Sequence, residues 1–480
     1  MHVIGVAELG LLLLSLLGSL AWALRLYSNW TFDFGSYYVA AQFASEQYQM
    51  FRDHIDHKGP VYSLFLKMIG LVIGYGSWQA YISLAVTAWI FLLSMLWIAK
   101  QHGRSIRERA FYLFLGLASL VFQTPNSSLP LLQLTTLFLF FQWGWKASRK
   151  TTLDWKTAFA MSFFFALSFL NRIDSVFYSP LFLVVALTRA RTDAFGSRLL
   201  KLGLTSIIAI TAIVAISVVS LHISSVRDMM EVNFIVNRDY RLMATGYAVT
   251  LERLFFRPLH LKLALQNGLI LSLLLTLYSQ RRSLNRQAFK RWKKRPEFFF
   301  LFSIAVLCIG LYIYTCSEKD YHLLILYPLF FFVIAFERSR WIHRLVLVAL
   351  LSVPFAFDVY SRGLKSLHFS FKSPAEQELI EVLQDHPNYL SLFGAPWVYS
   401  LTGMRPRFGA VTHVYLNRIF ADLQAARKLR NELKFLKPGD VVIVDAGNAK
   451  TSVIDEYSQV MANSEVIKTI GNAYEVRRLR

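Results

Sequence analysis

Long runs of apolar residues recur along most of the 480-residue chain and constrain its fold more than any other feature. A helix needs about 20 such residues to cross the hydrocarbon core of a bilayer. Hydrophobic residues make up 55% of the chain and its mean hydropathy is +0.42, so a water-soluble protein of this size would lack the polar surface to cover its core. The sequence therefore predicts an α-helical polytopic membrane protein.

The net charge of +21 is concentrated in short polar connections between the apolar runs. Five of these connections hold 23 basic and five acidic residues, which accounts for +18 of the net charge. Basic residues in short loops mark the cytoplasmic side of a membrane, so the charge reflects topology and we expect no nucleic-acid partner. The five connections are 100–109, 146–156, 189–201, 280–297 and 337–344.

The run 61–74 is only about 14 residues long and contains Lys67, which suits an interfacial or re-entrant helix better than a crossing one. If it does not cross, all five basic connections lie on one side. About eleven crossings follow, with a cytoplasmic amino terminus and an extracytoplasmic carboxyl terminus. The predicted crossings are 3–24, 77–99, 110–122, 129–145, 157–170, 176–187, 202–221, 263–279, 298–315, 322–335 and 345–360.

Two domains are expected, a membrane domain over 1–360 and an extracytoplasmic α/β domain over 361–480. The membrane domain includes two long outer loops, 27–59 and 222–262. In the tail, a Ser-Pro start predicts a helix and apolar β-branched runs predict strands. The predicted tail elements are helix 373–385, strands 389–393 and 440–445, a helical segment 415–435, and a strand pair 465–470 and 473–478.

Asp33 is the leading candidate for chemistry, because it lies near the start of the first outer loop. A carboxylate there, followed by Tyr37 and Tyr38 at helical spacing, could take a proton from an acceptor hydroxyl or amine. The alternative interpretation is structural: Asp33 comes just before the helical stretch 34–43, where Asp is a favoured N-cap.

The sequence His57-Lys58-Gly59-Pro60 is the second element of the candidate site. Lys58 is a compact charge suited to phosphate, with His57 beside it. Pro60 is expected to start the following helix, and the N–H groups of that helix start favour an anion. The alternative is an interfacial lysine that extends its charge to the water at a helix end.

This combination resembles the GT-C glycosyltransferases, in particular the protein O-mannosyltransferase and aminoarabinose-transferase branch. Members carry an acidic residue early in the first external loop and a basic residue with prolines before an interfacial helix, and they use polyprenyl-phosphate sugars as donors. The resemblance covers about residues 1–360. It implies that Asp33 is the catalytic carboxylate and that Lys58 and His57 lie near the donor phosphate. This chain has Gly59 where the family often has Pro, and Phe34 where it often has a second acid.

Further substrate-binding candidates come from charged residues placed at membrane turns. For Arg172 and Asp174 there are two alternatives: Arg172 binds a phosphate in a bidentate manner, or the two residues form a local ion pair. Arg257 precedes a proline, as in the Lys58 arrangement, and Lys319 and His322 open an apolar helix in a pattern similar to the family's, with a plain charged turn as the alternative.

The predicted activity is transfer of a sugar from a polyprenyl-phosphate donor to a lipid, glycan or protein acceptor at the outer face of the membrane, by an inverting displacement. The competing predictions are a transporter or flippase of lipid-linked sugars, and a polysaccharide polymerase or ligase. No cofactor or metal ligand is assigned, and a divalent metal is left open. The compact tail favours a bacterial inner membrane, with membrane lipid as a further partner.

Overall fold

The structure, a computed structural model, describes most of the chain up to residue 236 and parts of the remainder. The described ranges are 5–27, 32–51, 58–121, 128–188, 194–236, 296–315, 331, 374–386, 389–392, 397–404, 406, 430–431, 433–445, 455–471 and 474–480.

Helices dominate the described part of the chain, and the strands are confined to the tail. The elements are α1 (Val6–Tyr27), α2 (Phe32–Phe43), α3 (Val61–Ile73), α4 (Ser77–Gln101), α5 (Ile106–Val121), α6 (Ser128–Arg149), α7 (Trp155–Asn171), a 3-10 helix (Ile173–Tyr178), α8 (Pro180–Leu187), α9 (Phe195–Leu221), α10 (Val226–Met230), a π-helix (Glu231–Val236), α11 (Pro296–Thr315), α12 (Pro374–Gln384), β1 (Tyr389–Leu392), α13 (Trp397–Thr402), β2 (Val441–Asp445), α14 (Asp455–Ala462), β3 (Ser464–Ile470) and β4 (Tyr474–Leu479).

The chain forms two compact units, each assembled from segments that are distant in the sequence. The first, called here the helical unit, contains Met1–Arg25, Leu84–Ile213 and Val249–Leu367. The second, called the mixed unit, contains Leu26–Ser83, Val214–Ala248 and His368–Arg480. Helix α2 and the sheet therefore belong to the same unit.

Three described helices are long and apolar enough to cross a bilayer, over Val6–Leu24, Trp78–Gln101 and Phe195–Leu221. Shorter apolar helices cover Val61–Ile73, Ile173–Leu187 and Phe299–Cys308. These multiple apolar helices agree with the predicted multi-pass membrane protein. The count of eleven crossings and the orientation stay predictions, because the predicted crossings 263–279 and 345–360, and nearly all of 322–335, lie outside the described residues.

Close helix packing in the helical unit depends on small residues. Gly18 of α1 lies against Leu117 of α5, and Gly144 of α6 lies against the ring of Phe300 in α11. In both places an added Cβ would overlap the facing side chain. Glycines of this kind let apolar helices approach closely, as they do in membrane bundles.

The predicted crossing 176–187 is not one continuous α-helix. A 3-10 helix ends at Tyr178, and the eight-residue α8 begins at Pro180. Proline lacks the N–H that would continue the preceding turn but is well accommodated at the first position of a new helix. At a rise of about 1.5 Å per residue, α8 alone spans about 12 Å, well short of a bilayer core.

The tail forms a four-stranded mixed sheet in the order β1-β2-β4-β3. Strands β1 and β2 are parallel, with Tyr389 opposite Val441, whereas β4 pairs antiparallel with both β2 and β3. The predicted helix 373–385, both predicted strands and the predicted strand pair are confirmed to within one or two residues. Most of the predicted helical segment 415–435 lies outside the described residues.

Both faces of the sheet are buried at β1 and β2, because side chains along these two strands alternate between two hydrophobic cores. One core joins Tyr389, Val441 and Ile443 to α12, α13 and Val39 of α2. The other joins Leu390, Leu392 and Val442 to α14 and to residues that follow α2 and α9. Strands covered on both faces need continuous apolar runs, which explains the sequence of β2.

Candidate functional site

Asp33 is the second residue of α2, which begins at Phe32. The alternative interpretation of Asp33 as the N-cap of a helix starting at Phe34 is therefore wrong, since the helix begins two residues earlier. An acidic residue in the first turn is favoured by the partial positive charge of the helix start. Position 33 precedes Tyr37 by four residues, so the two positions share one face of α2.

Lys58 lies two residues before Pro60, which is the N-cap of α3 with φ −76° and ψ −15°. These angles are already helical, and the Pro60 carbonyl accepts the first helical hydrogen bond from Leu64 N at 2.9 Å. Gly59 and Pro60 are buried, whereas Lys58 is half-buried. The expectation that Pro60 starts the helix is confirmed.

The ammonium of Lys58 faces the ring of Tyr37, with Nζ 5.0 Å from the ring centroid. Tyr37 in turn meets Tyr62 of α3 edge-on at 5.4 Å, and Tyr62 stacks on Phe65 at 5.9 Å. Both tyrosines are almost fully buried. A partly desolvated cation over an aromatic face is held by the ring quadrupole. Lys58 is therefore positioned against the face of α2 that carries position 33.

Hydrogen bonds from side chains to the backbone fasten α2 to the segment that includes α3 and the following turn. The Tyr38 hydroxyl donates to the Gly76 carbonyl and accepts from the Gly76 amide, both at 2.8 Å. Tyr75 donates to the Ala41 carbonyl at 3.1 Å, and Lys67 donates to the Ala44 carbonyl at 2.9 Å. Burial raises the pKa of Tyr75 to about 12, so its hydroxyl stays a donor at neutral pH.

The opposite side of α2 is fixed by the α/β tail. Val39 is fully buried in the core that contains Leu379 and Leu383 of α12 and Tyr399 of α13. Ala44, just after α2, is buried in the second core with Leu390 and Leu392 of β1. The helix that carries Asp33 is thus packed into the tail and is not an exposed loop element.

Arg172 and Asp174 lie in the helical unit, at the junction between α7 and the 3-10 helix. Arg172 donates from a terminal guanidinium nitrogen to Asp174 Oδ2 at 2.7 Å. The side chains are only 17% and 5% exposed, respectively. This geometry is the local ion pair of the two sequence-based alternatives, and a phosphate-binding role for Arg172 stays a prediction.

The remaining sequence candidates, His57, Arg257, Lys319 and His322, lie outside the described residues. Within the described ranges, no three His, Cys, Asp or Glu side chains are grouped closely enough to hold a metal ion. Sequence reasoning did not assign roles to Tyr75 and Gly76, which complete the framework around α2. The sequence signal from which they could be found is the Gly74-Tyr75-Gly76 turn between two apolar runs.

No protein-family model matches the sequence, and no curated protein is significantly similar to it. Among solved structures, ArnT from Cupriavidus metallidurans bound to undecaprenyl phosphate superposes with a TM-score of 0.62 at 11% identity, over 98% of this chain and 97% of that one. The apo form of ArnT gives a TM-score of 0.57 at 12% identity over the same shares.

The archaeal oligosaccharyltransferase AglB from Archaeoglobus fulgidus, in complex with an inhibitory peptide and a dolichol-phosphate, gives a TM-score of 0.43 at 12% identity, over 91% of this chain and 69% of that one. That likeness is too low to support any argument about the site. The similarity to ArnT, by contrast, extends over nearly the full length of both chains. The resemblance inferred from the sequence is thus confirmed at the level of the fold: this chain has the fold of the aminoarabinose transferase ArnT, a GT-C membrane glycosyltransferase.

Proposed function

We propose that this protein is a membrane glycosyltransferase that moves a sugar from a polyprenyl-phosphate donor to an acceptor at the outer face of the membrane. Two findings support the proposal together. The fold matches ArnT, one of whose structures holds undecaprenyl phosphate. Within that fold, Lys58 lies against the face of α2 that carries position 33, which is the observation on which the proposal rests.

In the proposed reaction, Asp33 takes the proton from an acceptor hydroxyl or amine as that group attacks the anomeric carbon. The bond from the anomeric carbon to the phosphate oxygen breaks, and its electron pair leaves with the polyprenyl phosphate. A single displacement inverts the anomeric configuration. Because a phosphate leaves as a stable anion, it needs no general acid, and one carboxylate suffices.

Lys58 is proposed to stabilise the charge that grows on the departing phosphate. The contact with Tyr37 holds the ammonium in place before substrate binds, so little reorganisation accompanies charge development. The amides at the start of α3 add a second favourable environment for an anion. His57, Arg257, Lys319 and His322 remain proposed contributors from the sequence resemblance.

The test is transfer from a panel of radiolabelled polyprenyl-phosphate sugars in membranes that contain wild type, Asp33→Asn or Lys58→Ala. We expect transfer by wild type and a loss of at least about 100-fold for Asp33→Asn, the scale of general-base catalysis. Lys58→Ala should also lose activity. Glu46→Gln, a change at an exposed carboxylate of the same outer loop, is the matched control and should retain activity.

Equal transfer by wild type and both site variants would overturn the site assignment. Donor movement across the membrane without any transfer, over the whole panel, would instead favour a transporter.

A further inference from the structure

A basic pocket of about 780 Å³ lies at the turn between α6 and α7 in the helical unit, and the proposed reaction does not use it. Its charged lining consists of four basic side chains and one carboxylate, a formal charge of +3. These residues are Lys146, Arg149, Lys150, Lys156 and Asp154.

The single carboxylate of the pocket is committed to local contacts. Asp154 is the N-cap of α7, with Oδ1 accepting from Thr157 N at 2.7 Å, and its other oxygen pairs with Lys150. Burial acts to raise the pKa of Asp154, but the hydrogen bonds from Lys150 and Thr157 hold it down to about 2. Asp154 therefore offsets Lys150, and the positive charges of Lys146, Arg149 and Lys156 stay in excess.

Backbone carbonyls at this turn do not neutralise that excess, because they already accept hydrogen bonds from two other basic residues. Arg198 of α9 is fully buried and donates to the carbonyls of Ala147, Lys150 and Thr151 at 3.0, 3.3 and 3.4 Å. Lys201 donates to the Leu153 carbonyl at 2.9 Å. These contacts cap the carboxyl end of α6 and fix the turn. Among the described residues, no carboxylate forms an ion pair with Lys146, Arg149 or Lys156.

Aromatic side chains contact the basic cluster and follow it along α7. Lys146 Nζ faces two indole rings, 4.6 Å from the Trp143 ring centroid and 5.2 Å from that of Trp97. At the start of α7, Trp155 is 53% exposed and Phe159, one turn later, is 44% exposed. Phe159 stacks on Phe163 at 6.0 Å. An exposed aromatic stripe that starts beside charged residues is typical of a helix at the water–lipid boundary.

We propose that this pocket binds the phosphate headgroup of an anionic phospholipid, with the acyl chains along Trp155, Phe159 and Phe163. Arg149 presents a planar fork that matches phosphate oxygens, and Lys146 and Lys156 supply compact charges. A soluble phosphate would use the same cations but would make no contact with the apolar stripe. Basic pockets between membrane helices are suited to anionic headgroups for this combination of reasons.

Native mass spectrometry of the purified full-length protein tests the proposal without relying on transfer activity. The probes are dioleoyl phosphatidylglycerol, dioleoyl phosphatidylcholine with the same chains, and glycerol phosphate, which lacks chains. Wild type should retain phosphatidylglycerol at least about fivefold more than phosphatidylcholine and should retain no glycerol phosphate. In Arg149→Gln/Lys156→Gln this preference should disappear.

The matched control is Lys434→Gln/Lys437→Gln, which removes the same charge from exposed positions of the mixed unit and should keep the preference. Equal retention of both lipids by wild type would overturn the proposal, whatever the variants do. Equal binding of glycerol phosphate and phosphatidylglycerol would contradict the proposal and would indicate a site for a soluble anion instead. If the double variant does not purify in folded form, Lys156→Gln alone serves, and an unchanged preference there contradicts the proposal.

Discussion

Tyr38 and Gly76 exchange two hydrogen bonds, one in each direction and both at 2.8 Å, although they are 38 residues apart. The Tyr38 ring is fully buried, and Gly76 has φ +148°, a conformation that other residues rarely adopt. This contact joins the helix that carries Asp33 to the turn after α3. The contact therefore helps to fix α2, and with it position 33, relative to that turn.

Tyr38→Phe should destabilise the protein by about 1–3 kcal/mol, because it leaves the Gly76 amide and carbonyl without their buried partner. The thermal denaturation midpoint in detergent measures the effect. Gly76→Ala should destabilise as well, through its backbone conformation. Gly196→Ala, in α9 with open space around it, is the control and should leave the midpoint unchanged or raise it. An unchanged midpoint for Tyr38→Phe would show that the contact contributes nothing.

The contact between Lys58 and Tyr37 predicts a specific kinetic effect of Tyr37→Leu. This change keeps a buried apolar side chain but removes the aromatic face below the ammonium, which contributes about 0.5–2 kcal/mol. If Lys58 binds the donor phosphate, the loss should appear as a two- to thirtyfold fall in kcat/KM for the donor. Lys58→Arg should retain more activity than Lys58→Ala, since charge and ring contact are both kept. Equal kcat/KM for Tyr37→Leu and wild type would show that the ring of Tyr37 does not contribute to the function of Lys58.

The shared core between α2 and the tail predicts that a tail mutation affects transfer. Leu379→Ala removes a buried side chain from the core that contains Val39 and should destabilise the mixed unit by about 2–5 kcal/mol. Because Val39 packs in this core, transfer should fall at temperatures below the denaturation midpoint as α2 loses support. Phe435→Ala, at a side chain that is 73% exposed, is the control for loss of an apolar group. Full activity of folded Leu379→Ala would show that the tail does not support the site.

The sequence predicted the elements well where the hydrophobic pattern is decisive. The start of α3 at Pro60 and strands β1 and β2 follow from local turn chemistry and apolar runs. It did not predict that Val39 shares a core with Leu379, because no local pattern encodes a contact between residues 340 positions apart. The break before Pro180 could not be predicted, because the hydropathy is continuous over 176–187 while the helix type changes there. Local patterns likewise place Asp33 and Lys58 in one loop but do not encode the contact between the Lys58 ammonium and the ring of Tyr37.

His102, which follows α4, predicts a pH dependence of stability. Burial lowers its pKa from 6.5 to about 4; the hydrogen bond with Gln142 opposes the shift, and nearby Arg104, Arg149 and Lys146 add to it. A folded-state pKa below the unfolded value means that the unfolded chain binds the extra proton. The stabilisation is therefore complete above about pH 6.5 and is lost as the pH falls towards 4, with an upper bound of about 3 kcal/mol. In His102→Gln the denaturation midpoint should change less between pH 7 and pH 4.5 than it does in wild type. An equal change in both proteins would exclude His102 as the source of the pH dependence.

The Arg172–Asp174 pair allows its two interpretations to be separated by a double-mutant cycle. The atoms lie 2.7 Å apart, and Asp174 is only 5% exposed, so removing either partner leaves a buried charge without its counter-charge. If the pair is structural, Arg172→Ala and Asp174→Ala should each lower the denaturation midpoint, and the double variant should lose less than the sum of the two. If Arg172 also binds the donor phosphate, KM for the donor should rise at least about tenfold in both Arg172→Ala and the double variant, but not in Asp174→Ala. Strictly additive effects on stability would show that the pair is not coupled, and equal KM values in all four proteins would remove Arg172 from the candidate phosphate ligands.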